Sequence, residues 1–101
     1  MAVSISVLAS GSRGNTAVVE SSQARILVDA GISCRETFKR LKLAGLDPKS
    51  ISAILITHEH SDHIQGLAVL AAKLNVPIFC NRLTKEAIEL QLGQPIRCNI
   101  F

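Results

Sequence analysis

Tryptophan and tyrosine are absent from the 101 residues, and the only aromatic side chains are Phe38, Phe79 and Phe101. Since 48% of the residues are hydrophobic, the core must be aliphatic. No apolar run approaches the roughly 18–20 residues of a membrane span. Met1 to Ser10 carries no basic n-region ahead of its apolar stretch, so no signal peptide is expected. Cysteine is scarce and odd in number: Cys34, Cys80 and Cys98, with no C-x-x-C spacing. That pattern points to small buried apolar side chains in a reducing compartment rather than to a disulfide framework, and hence to a cytoplasmic protein. Charge is also modest. A net +3 suits an anionic substrate but falls short of the footprint of a dedicated nucleic-acid binder. Repeats, linkers and low-complexity segments are missing, and the length allows at most one small domain.

What the chain does have is concentrated in six residues. All three histidines fall in His58-Glu59-His60-Ser61-Asp62-His63, directly after the apolar run Ala53-Ile54-Leu55-Ile56-Thr57, which reads as a buried strand. Imidazoles and a carboxylate at a strand end form the outline of a metal site, because divalent metals of borderline or hard character favour nitrogen and oxygen ligands. In extended backbone, side chains two apart share a side, so His58 and His60 converge while Glu59 points away. Asp62 and His63 follow after the chain begins to turn, where they face a second point. Two-metal hydrolases hold their ions roughly 3.5–4 Å apart.

Around the motif the periodicities are clear. Val3 to Leu8 alternates as a strand with Val3, Ile5 and Val7 on one face, expected to face a core. The loop Ser10-Gly11-Ser12-Arg13-Gly14-Asn15 follows, then strands Thr16 to Glu20 and Arg25 to Asp29, which together read as an antiparallel meander. Ser33 and Glu36 make a capping box for a helix that buries Cys34, Phe38 and Leu41 and stops at Gly45. Arg35, Lys39, Arg40 and Lys42 give that helix a basic face, ordinarily a solvated one. A second helix carries Ile64, Leu67, Ala68, Ala71 and Leu74 on one stripe. Val76 to Cys80 is a short strand. A third helix, capped by Asn81 or Thr84, runs to Leu92 and Gly93, and Pro95 to Phe101 begins another strand.

His-x-His-x-Asp-His is also the signature of the metallo-β-lactamase fold, which this sequence resembles position for position from His58 to His63. Ser6 to Asn15 and Leu27-Val28-Asp29-Ala30-Gly31 resemble its YycJ-type (WalJ) branch. That resemblance implies the N-terminal half of an α/β layered αββα sandwich, with residues 1–101 forming a single partial domain. It implies a metal-dependent hydrolase, a cytosolic DNA exonuclease in this branch, with thioester or lactone hydrolysis as the competing chemistry of the superfamily. His58 and His60 would hold one metal, and Asp62 and His63 a second, with Asp62 also orienting the attacking water. Zinc is the expected metal, with manganese or iron as alternatives. Asp29, by itself either a turn aspartate or a site carboxylate, would stand behind the metal-binding histidines. The Ser12, Arg13 and Asn15 loop is either a plain connection or a phosphate-binding rim, and the resemblance favours the rim.

The expected partners are nucleic acid as substrate, no membrane, and either a second copy or a complementing C-terminal half. The family pattern places further histidines and a bridging aspartate downstream, whereas no histidine or aspartate follows His63 here. The alternative expectation is therefore a catalytically incomplete half-domain that only binds metal or pairs with a partner.

Overall fold

Ser6, Val18, Leu27, Ile54 and Ile78 stand opposite one another in five consecutive strands, and this row sets the core. The computed structural model describes residues 3–12, 14–58 and 64–101. Arg13 and the motif residues Glu59, His60, Ser61, Asp62 and His63 lie outside the described residues. The strands are β1 (Ser4–Ala9), β2 (Thr16–Glu20), β3 (Arg25–Val28), β4 (Ala53–Leu55), β5 (Ile78–Cys80) and β6 (Asn99–Ile100), and they pair in sequence order. The first three are antiparallel, as the short loops between them demand. From β3 onward the pairing is parallel, and a helix makes each crossover. These helices are α1 (Cys34–Leu43), α2 (Leu67–Leu74) and α3 (Arg82–Leu92).

The helices pack on the face that carries Val18, Leu27, Ile54 and Ile78, where Leu41, Leu67, Leu70 and Ile88 complete an aliphatic core. Each such side chain contributes about 1.5–3 kcal/mol by leaving water. Local signals agree with that packing. Ser33 accepts from the Glu36 amide at 3.1 Å and Asn81 from the Thr84 amide at 2.8 Å, while Gly45 and Gly93 adopt positive φ where α1 and α3 stop. The Glu36 carboxylate does not return the capping-box bond. It pairs with Arg40 at 3.2 Å, and Arg40 also donates to the Leu8 carbonyl at 2.8 Å, tying α1 to β1.

Three expectations are corrected. Val3, Ile5 and Val7 do not face the core: they are 61%, 68% and 66% exposed. Ile5 and Val7 lie in rows with Val19 and Ile26, and with Ala17, Val28, Leu55 and Phe79, on the face opposite the helices. Alternation assigns side chains to two faces but does not say which face the helices take. The cysteines are not three separate thiols either. Cys80 and Cys98 form a disulfide between β5 and the approach to β6, with Cα atoms 6.7 Å apart, and Cys34 remains a buried thiol. Parallel pairing of β5 with β6 brings these two together, a contact that their 18-residue separation does not reveal. Finally, two strands are shorter than their apolar runs. The strand β4 stops at Leu55 and β6 spans two residues.

Candidate metal centre

The end of the sheet where β3 and β4 finish is fixed by Asp29, the first residue after β3. It takes φ of 64°, a left-handed conformation that aspartate tolerates better than most side chains. Its backbone is held on both sides: the amide donates to the Leu55 carbonyl at 2.7 Å, and its carbonyl accepts from the Thr16 hydroxyl at 2.7 Å. The residue is only 6% exposed. This conformation turns the carboxylate toward the residues that follow β4. There Oδ1 accepts from the Thr57 amide at 2.8 Å, and the Thr57 hydroxyl lies 2.9 Å from Oδ1 and 2.8 Å from Oδ2.

The same hydroxyl stands 2.9 Å from Nδ1 of His58. An ionised carboxylate can only accept, so the hydroxyl gives its single hydrogen to Asp29 and is left as an acceptor toward the ring. In that arrangement Nδ1 of His58 would be the donor to the hydroxyl. In the neutral ring that places the lone pair on Nε2, the form in which imidazole binds a divalent metal. Asp29 and His58 thus share the Thr57 hydroxyl. The sequence reading placed Thr57 at the end of a buried strand and gave it no part in the site. Its hydroxyl directly before the first histidine was the available signal.

The connecting loops are stacked against this end. Gly31 donates to the Asn15 carbonyl at 3.0 Å, and Gly66 donates to the Ala30 carbonyl at 2.7 Å. A Cβ on Gly14 would lie 2.6 Å from the Gly31 carbonyl oxygen, and one on Gly66 would run into the Ile32 carbonyl oxygen. Glycine is needed at both positions because backbone meets backbone there. The glycine loop after β1, the turn after β3 and the turn after the histidine motif are therefore clamped together. Within the first of these, the Asn15 side chain accepts from the Gly11 amide at 3.1 Å and donates to the Gly11 carbonyl at 2.8 Å, which closes the loop on itself. Ser12 is exposed on that loop.

The described residues thus bring together Asp29, Thr57 and His58, with the Ser12 and Asn15 loop anchored beside them. The predicted ligands His60, Asp62 and His63, and the rim residue Arg13, lie outside the described residues. The donor chemistry at hand suits a metal: a histidine linked to a buried carboxylate through a shared hydroxyl. Cys34, in the first turn of α1, behaves differently. Burial pushes its thiol above the ordinary value of 9.0, opposed by the nearby Lys73 ammonium, and a thiol held protonated is a poor nucleophile or ligand.

A family model described as "Metallo-beta-lactamase superfamily" matches residues 9–97. The chain is 47% identical over 93 residues to a Bacillus anthracis protein named exodeoxyribonuclease YycJ, a match covering 92% of this chain and 35% of that one. It is 46% identical over 84 residues to exodeoxyribonuclease WalJ of Streptococcus pneumoniae D39, covering 83% of this chain and 31% of the other. The chain therefore spans about a third of the length of these curated relatives. Among solved structures, a Cronobacter sakazakii metallo-beta-lactamase carrying a mutated HARLDQ motif superposes with a TM-score of 0.76, over 93% of this chain and 42% of that one. At 19% identity, this likeness speaks for the fold alone.

Proposed function

Because the chain belongs to the metallo-β-lactamase superfamily, we propose that its motif end is the metal-binding part of a hydrolase acting on nucleic-acid phosphodiesters, with DNA as the substrate. The observation that carries this reading is the Asp29–Thr57–His58 chain of contacts, which prepares one imidazole for a metal at the start of the family motif. The names of the two relatives direct the choice of substrate toward DNA.

In this reading His58 and His60 hold one divalent metal and Asp62 and His63 hold a second, with zinc preferred and manganese or iron as alternatives. Bound metal would lower the pKa of a water and neutralise charge building on the phosphoryl group. The chain's own residues do the rest. Asp29 and Thr57 keep the His58 ring in one tautomer and one orientation. Asp62 accepts a hydrogen bond from the attacking water and aims it. The glycine loop, fastened to Gly31 through Asn15, offers the Ser12 hydroxyl, backbone amides and the Arg13 guanidinium to phosphate oxygens.

A second reading is favoured by the open sheet face. The exposed Val3, Ile5 and Val7 form an apolar surface of the kind that needs a partner. In this reading residues 1–101 are a half-domain whose second sheet is supplied in cis or in trans, and alone they bind metal without turnover. One experiment tests both. The purified chain is incubated with end-labelled DNA in zinc or manganese, beside a His58→Ala variant. Metal-dependent release of nucleotides that the variant lacks supports the hydrolase. Metal binding without release supports the half-domain, and absence of both removes the metal site from either reading.

A further inference from the structure

The outer surface of the helical layer holds a groove of about 710 Å³ between α1 and α2, away from the sheet. Its floor is apolar, made of Cys34, Phe38 and Val69, and its rim is cationic, made of Arg35, Lys39, Lys42 and Lys73. No acidic side chain among the described residues lines it. The paired cations of the described chain are elsewhere: Arg25 is bound to Glu20 and Arg40 to Glu36. None of the four rim cations has an ion-pair partner among the described residues. A cluster of four like charges repels itself, so it is most stable with an anion lying in it.

Position and spacing say what kind of anion. On α1, Arg35, Lys39 and Lys42 follow one another at intervals of four and three residues, which aligns them along one face. Arg35 lies in the first turn of α1, shortly after Asp29, and α2 begins shortly after the histidine motif. Both helices therefore start at the end of the sheet that carries Asp29 and His58 and run away from it. The cations form a line leading from the candidate site, suited to a chain of repeating negative charges. Phe38, partly buried and packed against the core, lines the floor of the groove, where its ring can meet a base.

We propose that the α1–α2 groove is an exosite for single-stranded DNA, which it grips by phosphate contacts to Arg35, Lys39, Lys42 and Lys73 and by stacking on Phe38. Its choice of DNA rests on the nuclease reading above. Binding to the groove itself needs neither metal nor turnover.

The test is fluorescence anisotropy of a labelled oligothymidylate 12-mer with the chain in EDTA, over a salt series. The groove variant Lys39→Glu/Lys42→Glu/Lys73→Glu is compared with a charge-matched control, Lys49→Glu/Arg82→Glu/Lys85→Glu. Circular dichroism checks that both are folded. The expected result is at least about tenfold weaker binding by the groove variant, with the control within about threefold of the parent. The salt slope should also fall by about 2, since each phosphate contact to a single strand contributes roughly 0.7. Phe38→Leu, which preserves the apolar floor, should weaken binding without changing that slope. A groove variant that tracks the control would overturn the proposal, as would a parent chain that does not bind the oligonucleotide at low salt. Preference of the groove for an acidic peptide over the oligonucleotide would also overturn it. Because the readout is metal-free, these outcomes are independent of whether the chain cuts DNA.

Discussion

Thr57 carries more of the site than its place in an apolar run suggests. One hydroxyl stands within hydrogen-bond distance of both a carboxylate that is 6% exposed and Nδ1 of His58. Replacing it with valine keeps shape and removes the relay. Thr57→Val should lower zinc affinity by about 10–100-fold, the usual cost of losing a ligand's supporting hydrogen bond. Thr57→Ser should restore most of the affinity. Competition against a chromophoric chelator measures both, and an unchanged affinity in the valine variant would show that His58 is oriented by something else. Cys34 makes a prediction of opposite character. Its thiol pKa is raised by burial, so above the ordinary value of 9.0 the unfolded chain loses this proton while the folded chain keeps it. The unfolded state then binds fewer protons, and stability falls as pH rises through that window. Urea midpoints at pH 8 and pH 10 should differ more for the parent than for Cys34→Ala. Equal differences would mean that the thiol titrates alike in both states.

At the scale of elements, the helix caps were the most legible feature. Ser33, Asn81, Gly45 and Gly93 all mark helix ends as their chemistry requires. They could be read because a cap depends on residues three or four apart. Thr16–Glu20 was legible for a similar reason, being a run of strand formers between turn residues. The contacts that assemble the site were not legible, because they join distant loops through backbone. Gly14 and Gly66 look like ordinary turn glycines, yet a Cβ on either would strike the turn after Asp29. Gly66→Ala should therefore cost about 1–3 kcal/mol, the range for forcing atoms into packed space. In a chain of this size that is a drop in Tm of roughly 5–15 °C. Calorimetry of the metal-free protein checks it, and a Tm within 2–3 °C of the parent (roughly half a kcal/mol) would contradict the clamp. The Cys80–Cys98 disulfide escaped notice for the same reason as the clamp, since only the pairing of β5 with β6 brings the two cysteines together.

For the molecule as a whole, one sheet face is filled and the other is open. The buried row from Val18 to Ile78 and the helices above it make a finished aliphatic layer. Ile5 and Val7 open a second apolar face with no helix over it among the described residues. Period-two alternation predicted both faces of β1 but assigned the core to the wrong one. Only the parallel crossovers after β3 decide which side the helices take. The histidine motif, by contrast, raised the expectation of a metal site at once, because ligand chemistry is local to six residues. Metal binding is the claim on which the functional account stands. The most direct measurement is elemental analysis of the chain after stripping with chelator and reloading with zinc, beside a His58→Ala/His60→Ala control. Retention of about one to two ions by the parent, lost in the control, is the predicted result for a site built from this motif. A parent that retains no more zinc than the control would contradict the account.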